Sequence, residues 1–598
     1  MQPDVAARPP PGLLGLSLLA VGVGIITGAG AIVFRALIGV IHNAFFYGRL
    51  SLVYDANFYE SASRWGAGVI LVPVIGGLAV VFVVTKFAPE ARGHGVPEVM
   101  DAIFYREGRI RPVVAAVKSL ASALSIGSGA AVGREGPIIQ IGATLGSTAG
   151  QLIRMDTWQR ITLVAAGAGA GIAATFNTPL GGVMFAIELM MPEVSVRTFL
   201  PVALATGTAT FIGRLFLGVR PAFDVPEKLV LNGAPVSLPA VLLCAVLGAL
   251  CGLAATAFIR GLYASEKLFE RIANPYLRHA LGMAIVGTMM YAFLLGSGHY
   301  HIDGVGYSTI QDILLGGMVA APFMALLFVS KLAATSISLG SGSSGGIFSP
   351  SLFMGAGAGG AFGACAHAFL QLPDFTIPAF AMVGMAAMVG GGTGAAMTAI
   401  VMIFEMTRDY DIVMPMIVAV AVSIGVRRML SDENIYTIKL AGRKHFIPKA
   451  MHANMFLIRS AGEVMEKEFV LLPRTMGFDE FLRMPELDSA LRHIVVTDGE
   501  RIAGTLRVNT SLRHGLEGAY TGVRLGSVAS ESFTIAHQED IMFDVIQRFW
   551  RKHASMIVVV RGRGVPRASD VVGVITKEHI ADSVAVSVQP YGGSATVG

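Results

Sequence analysis

Cysteine and charge are both scarce in this chain. Only three cysteines occur among 598 residues, and Cys244, Cys251 and Cys365 all lie in apolar runs. They read as small core residues, which excludes a disulfide framework or a cysteine-based metal cluster. Charged residues make up only 14% of the sequence, against about 25% in soluble globular proteins. So few charges cannot cover the surface of a water-soluble chain of this length. The net charge of +5 gives no support for nucleic-acid binding. The first segment, 1–11, is proline-rich and carries Asp4. It lacks the basic region and cleavage site of a secretory signal.

What is abundant is apolar length. The mean hydropathy is +0.64. Residues 12–39 contain one charge, Arg35, and neither 66–85 nor 236–258 contains any. A spanning helix needs about 20 such residues, so a bilayer is the expected solvent for residues 12–440. Segment 1–11 then reads as a cytoplasmic tail. From about residue 445 the composition becomes that of a soluble domain, with a linker at 441–460 and a tail at 586–598. Within 461–585, β-rich runs at Arg492–Thr497, Met556–Arg561 and Val571–Thr576 alternate with an amphipathic stretch at Glu539–Arg551. That pattern predicts a small α/β module, hanging in water on the cytoplasmic side.

The apolar part repeats itself. The segment Ser125 to Pro137, SIGSGAAVGREGP, can be laid on Ser338 to Pro350, SLGSGSSGGIFSP, 213 positions later. At the same offset Gly142 meets Gly355, and Gly171 to Ala174 meets Gly384 to Ala387. Duplicated halves with broken helices are a transporter signature. Each copy joins a glycine-rich break to a proline, which favours the first turn of a helix. Such a break aims a helix N-terminus, with unpaired N–H groups and about +0.5 charge, into the protein. Two converging ends make an anion site without a full positive charge, weak enough to release its ion. The alternative is tight helix packing by small residues.

These residues resemble the CLC family of chloride channels and chloride/proton antiporters, over nearly the whole chain. Residues 93–98 read GHGVPE, similar to the family's GSGIPE, and 133–137 read GREGP. Residues 345–350 read GGIFSP, matching G-x-F-x-P, and Phe404 to Thr407 is followed by Tyr436 at the spacing of the family's pore tyrosine. The resemblance implies an all-α membrane domain of two inverted repeats, a homodimer with one pathway per subunit, and chloride or a similar small anion as cargo. It implies anion binding by the backbone of Ile347 and Phe348, by the Tyr436 hydroxyl, and by the backbone around Gly133, Arg134 and Gly136. Glu135 is the implied gate, since its carboxylate can take an anion's place. An acidic residue in a membrane-buried break is in any case a functional candidate, the alternative being a salt bridge to Arg134.

Two positions depart from the family pattern. His94 stands where many members have an anion-coordinating serine. Imidazole also donates a hydrogen bond, or the ring turns away and touches no anion. Leu189 stands where antiporters often carry a second, proton-relaying glutamate, and leucine cannot carry a proton. That substitution favours a passive channel over an antiporter, and Glu188 reads as structural. Residues 461–516 and 525–585 resemble paired CBS domains, with Gly573 to Thr576 as a strand end. Adenine-nucleotide binding there stays open at Thr576 and Glu578, beside a simple dimer-forming role. No other cofactor and no metal is implied. Residues 342–345, GSSG, also fit the G-x-S-G of intramembrane serine proteases, with His367 downstream. That reading needs a nucleophile–base contact and leaves the repeat, Glu135 and Tyr436 unused, so a transporter and not an enzyme is expected.

Overall fold

The computed structural model describes residues 11–59, 61–225, 236–370, 375–445, 447, 455–482, 484, 493–507, 522–562 and 564–581. The 586–598 tail, residues 1–10 of the N-terminal segment, residues 448–454 in the linker and residues 508–521 of the soluble part lie outside them. The chain divides into a helical unit, 1–447, and a second unit, 448–598.

The helical unit runs α1 (Leu13–His42), α2 (Leu71–Phe87), α3 (Val96–Tyr105), α4 (Val113–Gly127), α5 (Glu135–Leu152), α6 (Thr157–Phe176), α7 (Pro179–Phe185) and α8 (Val196–Leu217). It continues with α9 (Leu238–Glu270), α10 (Pro275–Ser297), α11 (Tyr307–Leu314), α12 (Ala321–Ser341), α13 (Phe348–Leu370), α14 (Ile377–Thr393), α15 (Ala396–Thr407), α16 (Val413–Leu430) and α17 (Thr437–Gly442). Among the described residues eight helices are long and apolar enough to cross a membrane, which makes this a multi-pass membrane protein. Leu14, Leu18 and Val33 of α1 stand more than half exposed, as they do where lipid covers them. Cys244 and Cys251 are buried as expected, but Cys365 is exposed. It lies near the end of α13 on the outward side of the helix, between the buried Gly363 and Ala366.

The repeat is a two-fold. Gly133 and Gly346, equivalent at the 213-residue offset, form an antiparallel bridge. Gly133 N–H donates to Gly346 O at 2.7 Å and Gly346 N–H to Gly133 O at 2.6 Å. Equivalent residues that exchange both bonds in antiparallel sense lie on the axis relating the halves, so the repeats are inverted. Buried polar groups obey the same axis. Lys118 donates to Ala91 O at 3.0 Å and Gly93 O at 2.7 Å. Lys331, again 213 positions on, donates to Ile302 O at 2.8 Å and Gly304 O at 2.9 Å. Both lysines are fully buried, and each satisfies two loop carbonyls that no water reaches. Glu188 accepts from Met397 N at 2.9 Å and Thr398 N at 2.7 Å, at the start of α15. Glu405 accepts from Leu180 N at 3.2 Å and Gly181 N at 2.7 Å, at the start of α7. Each glutamate thus caps a helix of the other half. Glycine supplies the close packing between helices: a Cβ on Gly355 would lie 2.5 Å from the Gly384 carbonyl oxygen.

The second unit holds two three-stranded sheets of one topology, β1 (Val470–Pro473), β2 (His493–Asp498), β3 (Arg501–Arg507) and β4 (Phe533–His537), β5 (Met556–Val560), β6 (Val571–Ile575). In each, the first pair is parallel and the second antiparallel. β5 is MIVVV, buried at every residue, as a central strand covered on both faces must be. Val495 of β2 packs into the cluster of Met556, Val558 and Val574, which joins the sheets. The expected helix at Glu539–Arg551 is present as Met542–Arg551. This is the α/β pair anticipated from the sequence.

Candidate functional site

The glycine breaks bring their helix starts together. Glu135 opens α5 and Phe348 opens α13. The Glu135 side chain is 1% exposed and reaches across the two-fold into the other half. Its Oε1 accepts from the Tyr307 hydroxyl at 2.5 Å and from the Ser349 hydroxyl. Its Oε2 accepts from Ser349 N–H at 3.1 Å. The two hydroxyls lie 2.9 Å apart. A carboxylate therefore occupies a buried position built of hydrogen-bond donors, where an anion is the natural occupant.

Arg134 does not pair with Glu135. Its guanidinium lies 5.1 Å from the Tyr307 ring centroid and 5.8 Å from that of Phe176, and its Nε is buried without a hydrogen bond. Gly133 N–H is committed to the two-fold bridge, and Gly136 packs against the His94 carbonyl. Ile347 and Phe348 are both buried. Their N–H groups lead into the first turn of α13, where helical partners are missing. His94 precedes the N-terminus of α3 and is 4% exposed, with Nδ1 unpartnered. Its ring lies 5.9 Å from that of Tyr436, which is buried at the start of α17. Of the residues named from the sequence, the structure brings His94 beside Tyr436 and sets Glu135 against Ser349, which was not named but follows Phe348. Leu189 is buried in a wide turn after α7.

Three features escaped the sequence reading. Tyr307 sits in an unremarkable GVGY string. The lysine pair was marked by the 213-residue offset. A cavity of about 290 Å³ beside Arg134 and Phe176 is lined by Arg35, Arg214 and Arg220 against Asp55 and Asp224. With Arg134, that is a net positive approach, which concentrates anions.

The serine–His367 contact that the protease reading needs is not made among the described residues. Ser344 Oγ donates to Ala91 O at 2.7 Å and lies 2.9 Å from Ser122 Oγ. Ser343 Oγ points at Met283 Sδ, and His367 Nε2 meets Phe375 O at 2.9 Å. Among the described residues neither Ser343 nor Ser344 is hydrogen-bonded to His367; the serine–histidine contact next to this segment is His279 Nδ1 with Ser341 Oγ at 2.9 Å. In the second unit Thr576 Oγ1 accepts from His579 N–H at 3.4 Å. Glu578 is held by Arg507, with Nη1 to Oε1 at 2.5 Å, and the guanidinium keeps its carboxyl below the usual range. Both side chains suggested for a nucleotide are engaged within the protein.

Comparison with known proteins settles the family. Residues 76–428 match the family described as Voltage gated chloride channel. Over 437 residues the chain is 31% identical to the H(+)/Cl(-) exchange transporter ClcA of Salmonella arizonae, covering 72% of this chain and 88% of the relative. The chain belongs to the CLC family. The same identity and coverage hold for the ClcA exchanger of Salmonella paratyphi B. Among solved structures, a slow cyanobacterial Cl-/H+ antiporter is 26% identical with a TM-score of 0.62, covering 72% of this chain and 97% of its own. A eukaryotic CLC transporter shares the fold over 95% of this chain and 98% of its own, with a TM-score of 0.60 at 21% identity. Small-anion transport is the activity of this CLC protein. The relatives are named as exchangers, so the expectation of a passive channel, which rested on Leu189, is the less supported of the two.

Proposed function

We propose that this CLC protein exchanges chloride for protons across a membrane, as a transporter and not an enzyme. The observation that carries the reading is the Glu135 carboxylate buried in a donor-lined anion position, in a chain 31% identical to named H(+)/Cl(-) exchangers. A carboxylate in that place excludes the anion when ionised and carries a proton when neutral, so one group links the two ions. The resemblance assigns the remaining contacts: Ile347 and Phe348 N–H, the Tyr436 hydroxyl and His94 hold the inner anion. Because Leu189 cannot relay a proton, the proton reaches Glu135 by another route, through water or a different side chain. The second unit acts as a CBS pair on the cytoplasmic side, with both termini there, and the protein works as a homodimer.

The test is made in sealed proteoliposomes with a chloride gradient and no proton gradient. Exchange gives uphill proton movement at a fixed ratio to chloride. Chloride flux with no proton movement would favour the second reading, a passive channel, which Leu189 supports.

A further inference from the structure

We propose that Tyr307 and Ser349 are side-chain donors to the anion at the position Glu135 now fills, and that they select small, strongly hydrogen-bonding anions over large, weakly hydrated ones. The inference rests on the transport reading and adds the residues that choose among anions.

The carboxylate shows what the position offers. One oxygen receives two hydroxyl donors and the other receives Ser349 N–H. When the Glu135 side chain moves away, all three donors stay. The Tyr307 ring is held edge-on by Phe223, with centroids 5.3 Å apart, and flanked by the tilted ring of Phe176 at 6.4 Å. Ser349 is fixed in the first turn of α13. Tyr307 itself follows Gly306, whose φ of +75° is the left-handed conformation that lets the chain enter α11 at this angle.

Proton counting fits a transported ion. Each hydroxyl has one proton to give. With a carboxylate or a halide present, both protons point at the anion. With the position empty, one hydroxyl donates to the other across 2.9 Å, so emptying leaves two of the three donors unmet, one hydroxyl and the Ser349 N–H, and not all three. The hydroxyl pair therefore lowers the cost of the ion's departure by keeping one of its donors satisfied. The Arg134 cation against the Tyr307 π face draws density from the phenol and strengthens its O–H as a donor. Arg134 is thus a positioning residue, acting through Tyr307.

Selection follows from size. A compact anion concentrates its charge on the few donors it meets and loses most when one is removed. A large anion spreads its charge and depends on them less. The other half has no such pair, since the positions equivalent to Tyr307 and Ser349 are Val96 and Gly136.

The test uses full-length protein carrying Glu135→Ala, which vacates the position. Chloride and thiocyanate binding are measured by titration calorimetry, alone and with Tyr307→Phe or Ser349→Ala added. Each added change should weaken chloride binding about tenfold and thiocyanate binding by no more than about twofold. Both changes remove one oxygen and keep the packing, and gel filtration checks that each variant is folded. Chloride affinity unchanged in both variants, or equal losses for the two anions, would overturn the inference while the wild-type protein still moves chloride into liposomes. Absence of chloride flux in the wild type would instead overturn the transport reading, and this inference with it.

Discussion

The two halves of the membrane unit agree in what supports them and differ in what meets the ion. Lys118 and Lys331 hold equivalent loop carbonyls, Glu188 and Glu405 cap equivalent helices, and Gly133 and Gly346 bond each other across the axis. At the ion pathway the equivalents part. Glu135 faces Phe348, His94 corresponds to Val305, Tyr307 to Val96 and Ser349 to Gly136. A duplicated scaffold fixes two converging helix ends, and in the proposed reading asymmetric side chains turn that symmetric cage into a pathway with a gate on one side only. Positions where the halves depart from symmetry are therefore where function is to be sought.

The most direct way to break this comparison is at the gate. Glu135→Gln keeps the shape and removes the charge. Chloride flux should persist, become independent of pH and lose all coupled proton movement, read as flux and proton uptake in proteoliposomes. Retained acid activation would place the gate elsewhere. The scaffold pairs should instead behave alike. Lys118→Met and Lys331→Met each strand two buried carbonyls and should each cost about 2–6 kcal/mol, seen as a comparable fall in thermal stability in detergent. A large effect at one lysine and none at the other would show that the symmetry is only geometric. The glutamate caps sharpen the same point with a smaller effect. Glu188→Gln and Glu405→Gln retain one acceptor oxygen and lose the charge at a helix start, so each should cost about 1–3 kcal/mol.

Much of this was legible in the sequence because glycine frames and prolines survive duplication as patterns. The repeat and the breaks follow from one alignment of the chain with itself, and the roles of Glu135, Ile347 and Phe348 were added by the family resemblance. Tyr307 was not legible, because its loop is offset by 211 positions and not 213, and its partner Val96 carries no hint of a hydroxyl. The lysines were marked by the offset but passed over, since a lysine in an apolar run reads as an interruption until its carbonyl partners are seen. The exposure of Cys365 was hidden for the same reason: apolar composition does not tell a protein-facing side of a helix from a lipid-facing one.

The smallest predicted effect carries the comparison into the second unit, which is also duplicated. Register equates His493 of β2 with Met556 of β5, since Val496 pairs with Gly504 as Val559 pairs with Gly573. One module thus buries an imidazole where its sister buries a thioether. His493 Nδ1 has no partner, and the His579 ring lies 5.1 Å away. Burial, then the charges of His579 and Arg507, push the His493 imidazole down to about 4, from about 6.5 in the unfolded chain. Between those values the unfolded chain binds more protons than the folded one, so stability rises with pH across that window. The contribution is fully present above about pH 6.5 and is lost as pH falls toward about 4, amounting to about 1–2 kcal/mol once solvent screening is allowed for. Pulse proteolysis of the full-length protein in urea, at pH 7 and pH 5, reads this as a lower midpoint at pH 5 for cleavage within the second unit. His493→Met, which borrows the sister module's residue, should flatten the difference while leaving the pH 7 midpoint within about 1 kcal/mol. A pH dependence that survives the substitution would assign it to His579 or the exposed carboxylates, and the two modules would then differ in chemistry without differing in stability.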